Sequence, residues 1–252
     1  SRGKKPRLFL FMPRNRVKNL LIWSMENLLA FSCPGCGKTT ENNGLCRECR
    51  QKIHPIEPPH CPGCGGKTDG IFAECSQCLE AGTRPWDDAY AAFDYNGIIR
   101  EMIVQLKFQH RPENGIMLAQ MAAVNAEEFL RKYDLIVPVP LHFLRQMKRG
   151  YNQSEIISRE LSAITGIPYR NLLRRSKYTA PQSRQNRQRR LKTLKNTFVL
   201  PQKNIEYVNS KHILLLDDVF TTGATLNAAA CALQTGNPAS IGVFTIARRG
   251  VM

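Results

Sequence analysis

Eight of the nine cysteines in this chain fall into four Cys-x-x-Cys pairs, Cys33/Cys36, Cys46/Cys49, Cys61/Cys64 and Cys75/Cys78, while Cys231 stands alone. One such pair lets two thiolates from a tight loop face a single point, and two pairs complete the tetrahedral four-thiolate shell that zinc prefers. Gly35, Gly37, Gly63, Gly65 and Gly66 supply the backbone freedom for those turns. A disulfide cluster or a redox pair would use the same spacing, but four pairs in tandem with no export signal favour metal. All eight candidate ligands are thiols, so the expected role of the Zn2+ ions, two in number, is structural. Consecutive pairs sharing an ion (33/36 with 46/49, 61/64 with 75/78) are favoured over an interleaved arrangement. Beyond Leu45, Ile53, Ile56, Ile71 and Phe72 this stretch holds few large apolar residues. Metal, rather than a packed core, is therefore expected to supply its folding free energy. His54 and His60 lie among the pairs and are read as surface residues, because the cysteines already fill two sites.

Reduced thiols require a reducing compartment. The apolar run 8–12 is shorter than the roughly 7 to 15 residues of a signal core. The run 20–31 is interrupted by Glu26 and Asn27 and falls short of the roughly 20 residues that span a bilayer. A soluble cytoplasmic protein without a transmembrane segment is expected. At 252 residues the chain can hold one ordinary α/β domain and a smaller attachment. Residues 1–18 read as a basic, disordered or extended segment whose start without Met is compatible with a cloning or processing remnant. Residues 19–85 read as an apolar packing helix (Leu20, Leu21, Trp23, Met25, Leu28, Leu29) followed by the cysteine module, and residues 86–252 as the α/β domain.

Lys and Arg number 36 against 20 Asp and Glu, a formal charge of +16. Each zinc ion held by four thiolates carries a net charge of −2, and two of them would lower the working value to +12. The excess is localised: residues 1–18 hold seven basic side chains and no acid, and residues 141–195 hold fourteen basic against two acidic. Such runs are often only solvated faces. The second one, however, lies beside a candidate phosphate site, which favours an anionic ligand.

That site is the segment from His212, HILLLDDVFTTGATLNAAACAL. The unbroken apolar run 213–216 suits a parallel strand buried on both faces. Asp217 and Asp218 follow at its carboxyl end, the edge where open α/β sheets place ligands. Thr221, Thr222, Gly223, Ala224 and Thr225 then open a helix over 226–233. Small residues let backbone close around an anion, and the helix start aims unpaired N–H groups at it. Carboxylates cannot ligate phosphate, so the aspartates suit ribose hydroxyls, directly or through Mg2+-bound water. Strand, acidic doublet, TTGAT and helix together resemble the PRPP signature of type I phosphoribosyltransferases. By that resemblance Asp217 and Asp218 hold the ribose, and residues 221–225 wrap the 5-phosphate.

Upstream, a strand over 134–139 runs into a proline-stiffened loop carrying Arg145, Lys148 and Arg149, then into an amphipathic helix through Leu161. Basic residues placed there suit a pyrophosphate. The remaining pattern gives strands near 89–95, 169–173 and 198, helices near 97–107 and 115–131, and a last strand over 240–247. Alternation of this kind predicts a mostly parallel twisted sheet.

The order of the Cys-x-x-Cys pairs, VPVPLHxxRxxxRGYNQS and TTGAT resembles the ComF/ComFC proteins of bacterial DNA uptake over about residues 19–249. Lys107, Arg174 with Thr179 to Gln182, and Arg190 with Phe198 are further matches. Gln185 and Thr193 depart from the usual leucine and asparagine, within a loop that is unusually basic here. The resemblance implies a type I phosphoribosyltransferase-like domain behind a zinc module, with Lys107 joining Arg145, Lys148 and Arg149 on the pyrophosphate side. It also implies a role in natural transformation at the inner face of the membrane, with a ComFA-type uptake ATPase and other transformation proteins as partners. Single-stranded DNA is the expected polymer, bound by Arg174, Arg175, Arg184, Arg187, Arg189 and Arg190. Two other readings stay open: an active phosphoribosyltransferase using PRPP and Mg2+ on a base or amine, and an adaptor that docks the ATPase through the zinc module.

Overall fold

The computed structural model describes residues 31–41, 44–141, 143–175 and 197–250. The cysteine region contains strands β1 (Phe31–Ser32) and β2 (Thr39–Thr40) and helices α1 (Arg47–Gln51) and α2 (Ser76–Ala81). The α/β region runs β3 (Asp88–Asp94), α3 (Gly97–Phe108), α4 (Pro112–Asn125), α5 (Glu127–Leu130), β4 (Leu135–Pro138), α6 (Phe143–Arg149) and α7 (Gln153–Thr165). It continues through β5 (Arg174–Arg175), β6 (Phe198–Val199), a 3-10 turn (Gln202–Tyr207), β7 (His212–Phe220), α8 (Ala224–Gln234) and β8 (Ser240–Arg248).

Four of these strands form one parallel sheet in the order β3-β8-β7-β4. Side chains on a strand alternate between faces, and the unbroken apolar run uses both. Leu214 and Leu216 join Tyr90, Phe244 and Ile246 in a core covered by α3, α4 and α7, whereas Ile213 and Leu215 join Ile241, Val243 and residues of α8 on the other side. Because all four strands are parallel, their carboxyl ends Asp94, Arg248, Phe220 and Pro138 share one edge of the sheet.

The cysteine region clasps the edge strand β3. The Ile56 N–H donates to Ala92 O at 2.9 Å, the Ala91 N–H donates to Gly65 O at 3.3 Å, and Pro55 forms an antiparallel bridge with Phe93. Gly65, at φ +70°, comes so close that a Cβ would lie 2.2 Å from the Ala91 nitrogen. Covering this edge removes a row of unpaired backbone groups. Cys33, Leu45 and Cys49 pack into the core on one face and Cys61, Cys64 and Cys78 into the core on the other. The sequence argument for metal in place of a core is thus only half of the account, since the module also borrows the cores of its neighbour.

Four local expectations change. The helix expected near 115–131 divides at Ala126 into α4 and α5. Segment 169–173 is not a strand: Tyr169 makes a single bridge to Ile136, and the chain then turns as the Leu172 N–H donates to Arg170 O. The basic segment after β4 is helix α6 rather than loop, ended by Gly150 in the left-handed region at φ +78°. Strand β7 carries on through both aspartates to Phe220, which brings the turn to residues 221–223 and the start of α8 to Ala224. Among the described residues, no helix is long and apolar enough to cross a membrane. The segment 1–30, with its expected packing helix, lies outside the described residues.

Candidate phosphosugar cleft and two four-cysteine sites

A cleft of about 370 Å³ opens at the carboxyl edge of the sheet, between the ends of β4 and β7 and the starts of α7 and α8. Its lining brings together Asp217, Asp218, Thr221 and Thr225 with Lys107, Arg145, Arg149 and Arg175. Lys148 sits on α6, but its side chain lies outside the described residues, as do Arg184, Arg187, Arg189 and Arg190. Arg174 is exposed in β5, and its neighbour Arg175 reaches the cleft.

Alternation along β7 gives the two carboxylates different surroundings. Asp218 is buried and pairs with Lys107 Nζ at 2.8 Å. Asp217 is half-buried, and its Oδ1 accepts from Ser154 Oγ at 3.0 Å and from the Asp218 N–H at 2.9 Å. Burial, reinforced by the Asp218 carboxylate, pushes Asp217 up to about 7, while Lys107 and its hydrogen bonds oppose the rise. Ser154 is held in turn by α7, whose N-cap Asn152 accepts from the Ser154 N–H and donates to Val139 O.

The turn after β7 is built for close approach. Gly223 adopts φ +75° as the N-cap of α8, and a Cβ there would come 2.8 Å from Phe220 Cζ. Arg84 braces the loop from outside, donating to Thr222 O at 3.4 Å and lying 5.8 Å from the Phe220 ring centre.

Cations dominate the remainder: Lys107, Arg145, Arg149, Arg175 and Arg249 face two aspartates. Burial lowers both Arg149 and Arg175, and the charge of Arg145 adds to the effect in each case. Crowding of like charges at a protein surface is relieved by an anion. Sequence reasoning did not single out Arg249, Ser154 or Gln153. Arg249 was recoverable, since it directly follows the last parallel strand at the ligand edge. Ser154 and Gln153 were visible only as letters of a motif, because their approach to β7 depends on the packing of α7.

The cysteines gather as Cys33/Cys36/Cys46/Cys49 and Cys61/Cys64/Cys75/Cys78, with the sulfurs of each group within 4.8 Å of one another. Consecutive pairs therefore share a site. Both sites repeat one local plan: the N–H of Gly37 or Gly65 donates to the carbonyl of Cys33 or Cys61, whose sulfur accepts from the Cys46 or Cys75 N–H at 3.3 Å. Burial opposes ionisation of Cys33, yet the N–H groups of Cys46, Gly35 and Cys36 outweigh it and lower that thiol to about 6. Donor type, proximity and N–H support fit zinc, which would cross-link each pair of turns. His60 is in neither group; its Nδ1 lies 3.1 Å from Gly65 O and its ring packs on Tyr90.

A double zinc ribbon domain model matches residues 25–79, and a phosphoribosyl transferase domain model matches residues 119–251. Competence protein F of Haemophilus influenzae is 32% identical over 232 residues, covering 89% of this chain and 100% of that protein. The chain belongs to the ComF/ComFC family. Other members are competence protein ComFC of Bacillus subtilis, 28% identical over 81% of this chain and 84% of its own length, and DNA utilization protein YhgH of Escherichia coli K12, 29% identical over 81% and 90%. Within this ComF-type framework the ribbon match covers all eight paired cysteines, and the transferase match includes β4, β7, α8 and β8.

Proposed function

We propose that this chain handles single-stranded DNA during uptake and binds PRPP or a related phosphosugar, with Mg2+, in the cleft at the sheet edge. One observation carries the ligand reading: an acidic doublet, a glycine-hinged helix start and five cations converge on a single cleft. Residues 221–225 would cradle the 5-phosphate. Asp217 and Asp218 would take the ribose hydroxyls or Mg2+-bound water, and Arg145, Lys148, Arg149 and Lys107 the pyrophosphate. Binding would then release Lys107 from Asp218 toward the anion. The names of the relatives, which refer to competence and DNA utilization, support the DNA part of the reading. Arg175 lines the cleft, and with Arg174 it opens the basic tract that runs over 174–195 in the sequence. Arg184, Arg187, Arg189 and Arg190 extend it in sequence.

Fluorescence anisotropy with a labelled oligonucleotide tests the DNA part. Contacts to about four phosphates would weaken affinity by about 50-fold between roughly 50 and 200 mM salt. Affinity that ignores salt, or that survives alanine at Arg184, Arg187, Arg189 and Arg190, contradicts it.

A second reading, phosphoribosyl transfer to a base or amine, is favoured by Asp217 alone, a carboxyl held near neutrality and so able to exchange a proton at a bound ribose. Pyrophosphate release from PRPP, abolished by Asp218→Asn, would decide for it.

A further inference from the structure

Arg248 ends β8 in register with Phe220 and Asp94, so its backbone belongs to the ligand edge, yet its side chain leaves the cleft for the second four-cysteine site. Its Nε donates to Cys64 Sγ at 3.0 Å, and its Nη2 lies 3.7 Å from Cys75 Sγ and donates to Gln77 Oε1 at 2.7 Å. The ribbon makes room for the guanidinium: at Gly66 a Cβ would come 2.6 Å from Arg248 Cδ and Nε. From Arg248 the contacts run on to the phosphate loop. Arg249 lines the cleft and donates its N–H to Phe220 O at 2.9 Å, and the Phe220 ring lies beneath Gly223.

The two four-cysteine sites differ in how a metal-thiolate charge could be offset. In the first, Cys36 is exposed and Cys46 half-exposed, so water can donate to the sulfurs. In the second, Cys75 is half-exposed like Cys46, but Cys64 is buried where Cys36 is exposed, and with Cys61 and Cys78 it lies among apolar side chains, where a net −2 charge needs protein donors. We propose that Arg248 is an outer-sphere residue of the second four-cysteine site, donating to two of its sulfurs and fastening the metal centre to the strand pair that carries the phosphate loop. It is a positioning residue that touches neither metal nor phosphosugar. The link to the cleft rests on the phosphosugar reading above, whereas the link to the metal does not.

Zinc release from the intact, zinc-loaded chain to an excess of chromogenic chelator tests the proposal with Arg248→Gln and Arg248→Lys. Of the two zinc equivalents, one is expected to leave at least about tenfold faster in Arg248→Gln while the other keeps its wild-type rate, because lost outer-sphere donors typically weaken a metal site by about 10- to 100-fold. Arg248→Lys, which retains the charge and one donor direction, should fall between the two. Unchanged release of both equivalents, or equal acceleration of both, overturns the proposal. If Arg248→Gln fails to fold, Arg248→Lys decides by the same one-site criterion. Weaker ribose 5-phosphate binding in the same variants is the second expected result. Wild-type protein that ignores ribose 5-phosphate would refute the phosphosugar reading and leave the metal-release result to decide for Arg248.

Discussion

Stripping zinc from the intact chain is expected to unfold the ribbon over 31–79 and to lower the melting temperature of the whole by more than about 10 °C, an effect that restored zinc reverses. Among the described residues of that segment, the buried apolar side chains other than cysteine are Leu45 and Ile56. Two residues cannot offset the chain entropy of so long a stretch, whereas a structural zinc site contributes about 10–16 kcal/mol of apparent binding free energy. Damage should spread, because the ribbon clasps β3 and its cysteines plug the cores on both faces. Hydrogen exchange locates the effect: the Ile56 and Ala91 amides, which donate across the clasp, should lose protection on chelation. A melt that chelation leaves unchanged would show that the ribbon does not depend on metal.

Asp217→Asn is expected to stabilise the fold at pH 8 while weakening phosphosugar binding by about tenfold or more. Burial, and then the Asp218 carboxylate, push the Asp217 carboxyl up to about 7, against roughly 3.9 in an unfolded chain. The folded state therefore binds this proton more tightly than the unfolded state does. No penalty exists below about pH 4, it grows as the pH rises from about 4 to 7, and it is complete at pH 8. Its ceiling is about 4 kcal/mol, each unit being worth about 1.4 kcal/mol. Asparagine cannot ionise, yet its amide oxygen can still accept from Ser154 Oγ and the Asp218 N–H. Melting temperature should thus rise at pH 8, by about 2–4 °C per kcal/mol removed, and the gain should vanish toward pH 4. A variant no more stable than wild type at pH 8 contradicts this reading of the carboxylate pair. Strain of this kind, retained at a binding site, is a common exchange of stability for function.

Local chemistry determined what could be read from the sequence. The run 213–216 announced a doubly buried strand because period-2 alternation was absent, and it lies in β7 between β8 and β4. Thiol spacing sufficed for two metal sites, since each turn is closed by hydrogen bonds within a few residues. Features that depend on distant packing stayed hidden. In 169–173 only Asn171 disfavours a strand, but the fold offers that segment one rung on β4 before the chain turns away. The ion pair between Lys107 and Asp218 joins residues 111 positions apart through the meeting of α3 with the end of β7. Arg248 fell just past the strand expected over 240–247, and only the wrapping of the ribbon around β3 turns its side chain toward Cys64.

Isothermal titration of the zinc-loaded chain with PRPP and Mg2+, set beside Gly223→Val, bears most directly on the cleft. Valine at a position with φ +75°, aimed at the Phe220 ring, would spoil the loop while leaving the sheet intact. The account predicts one saturable site per wild-type chain and none in the variant. Absence of saturable heat in the millimolar range, or equal heat from the valine variant, would contradict it.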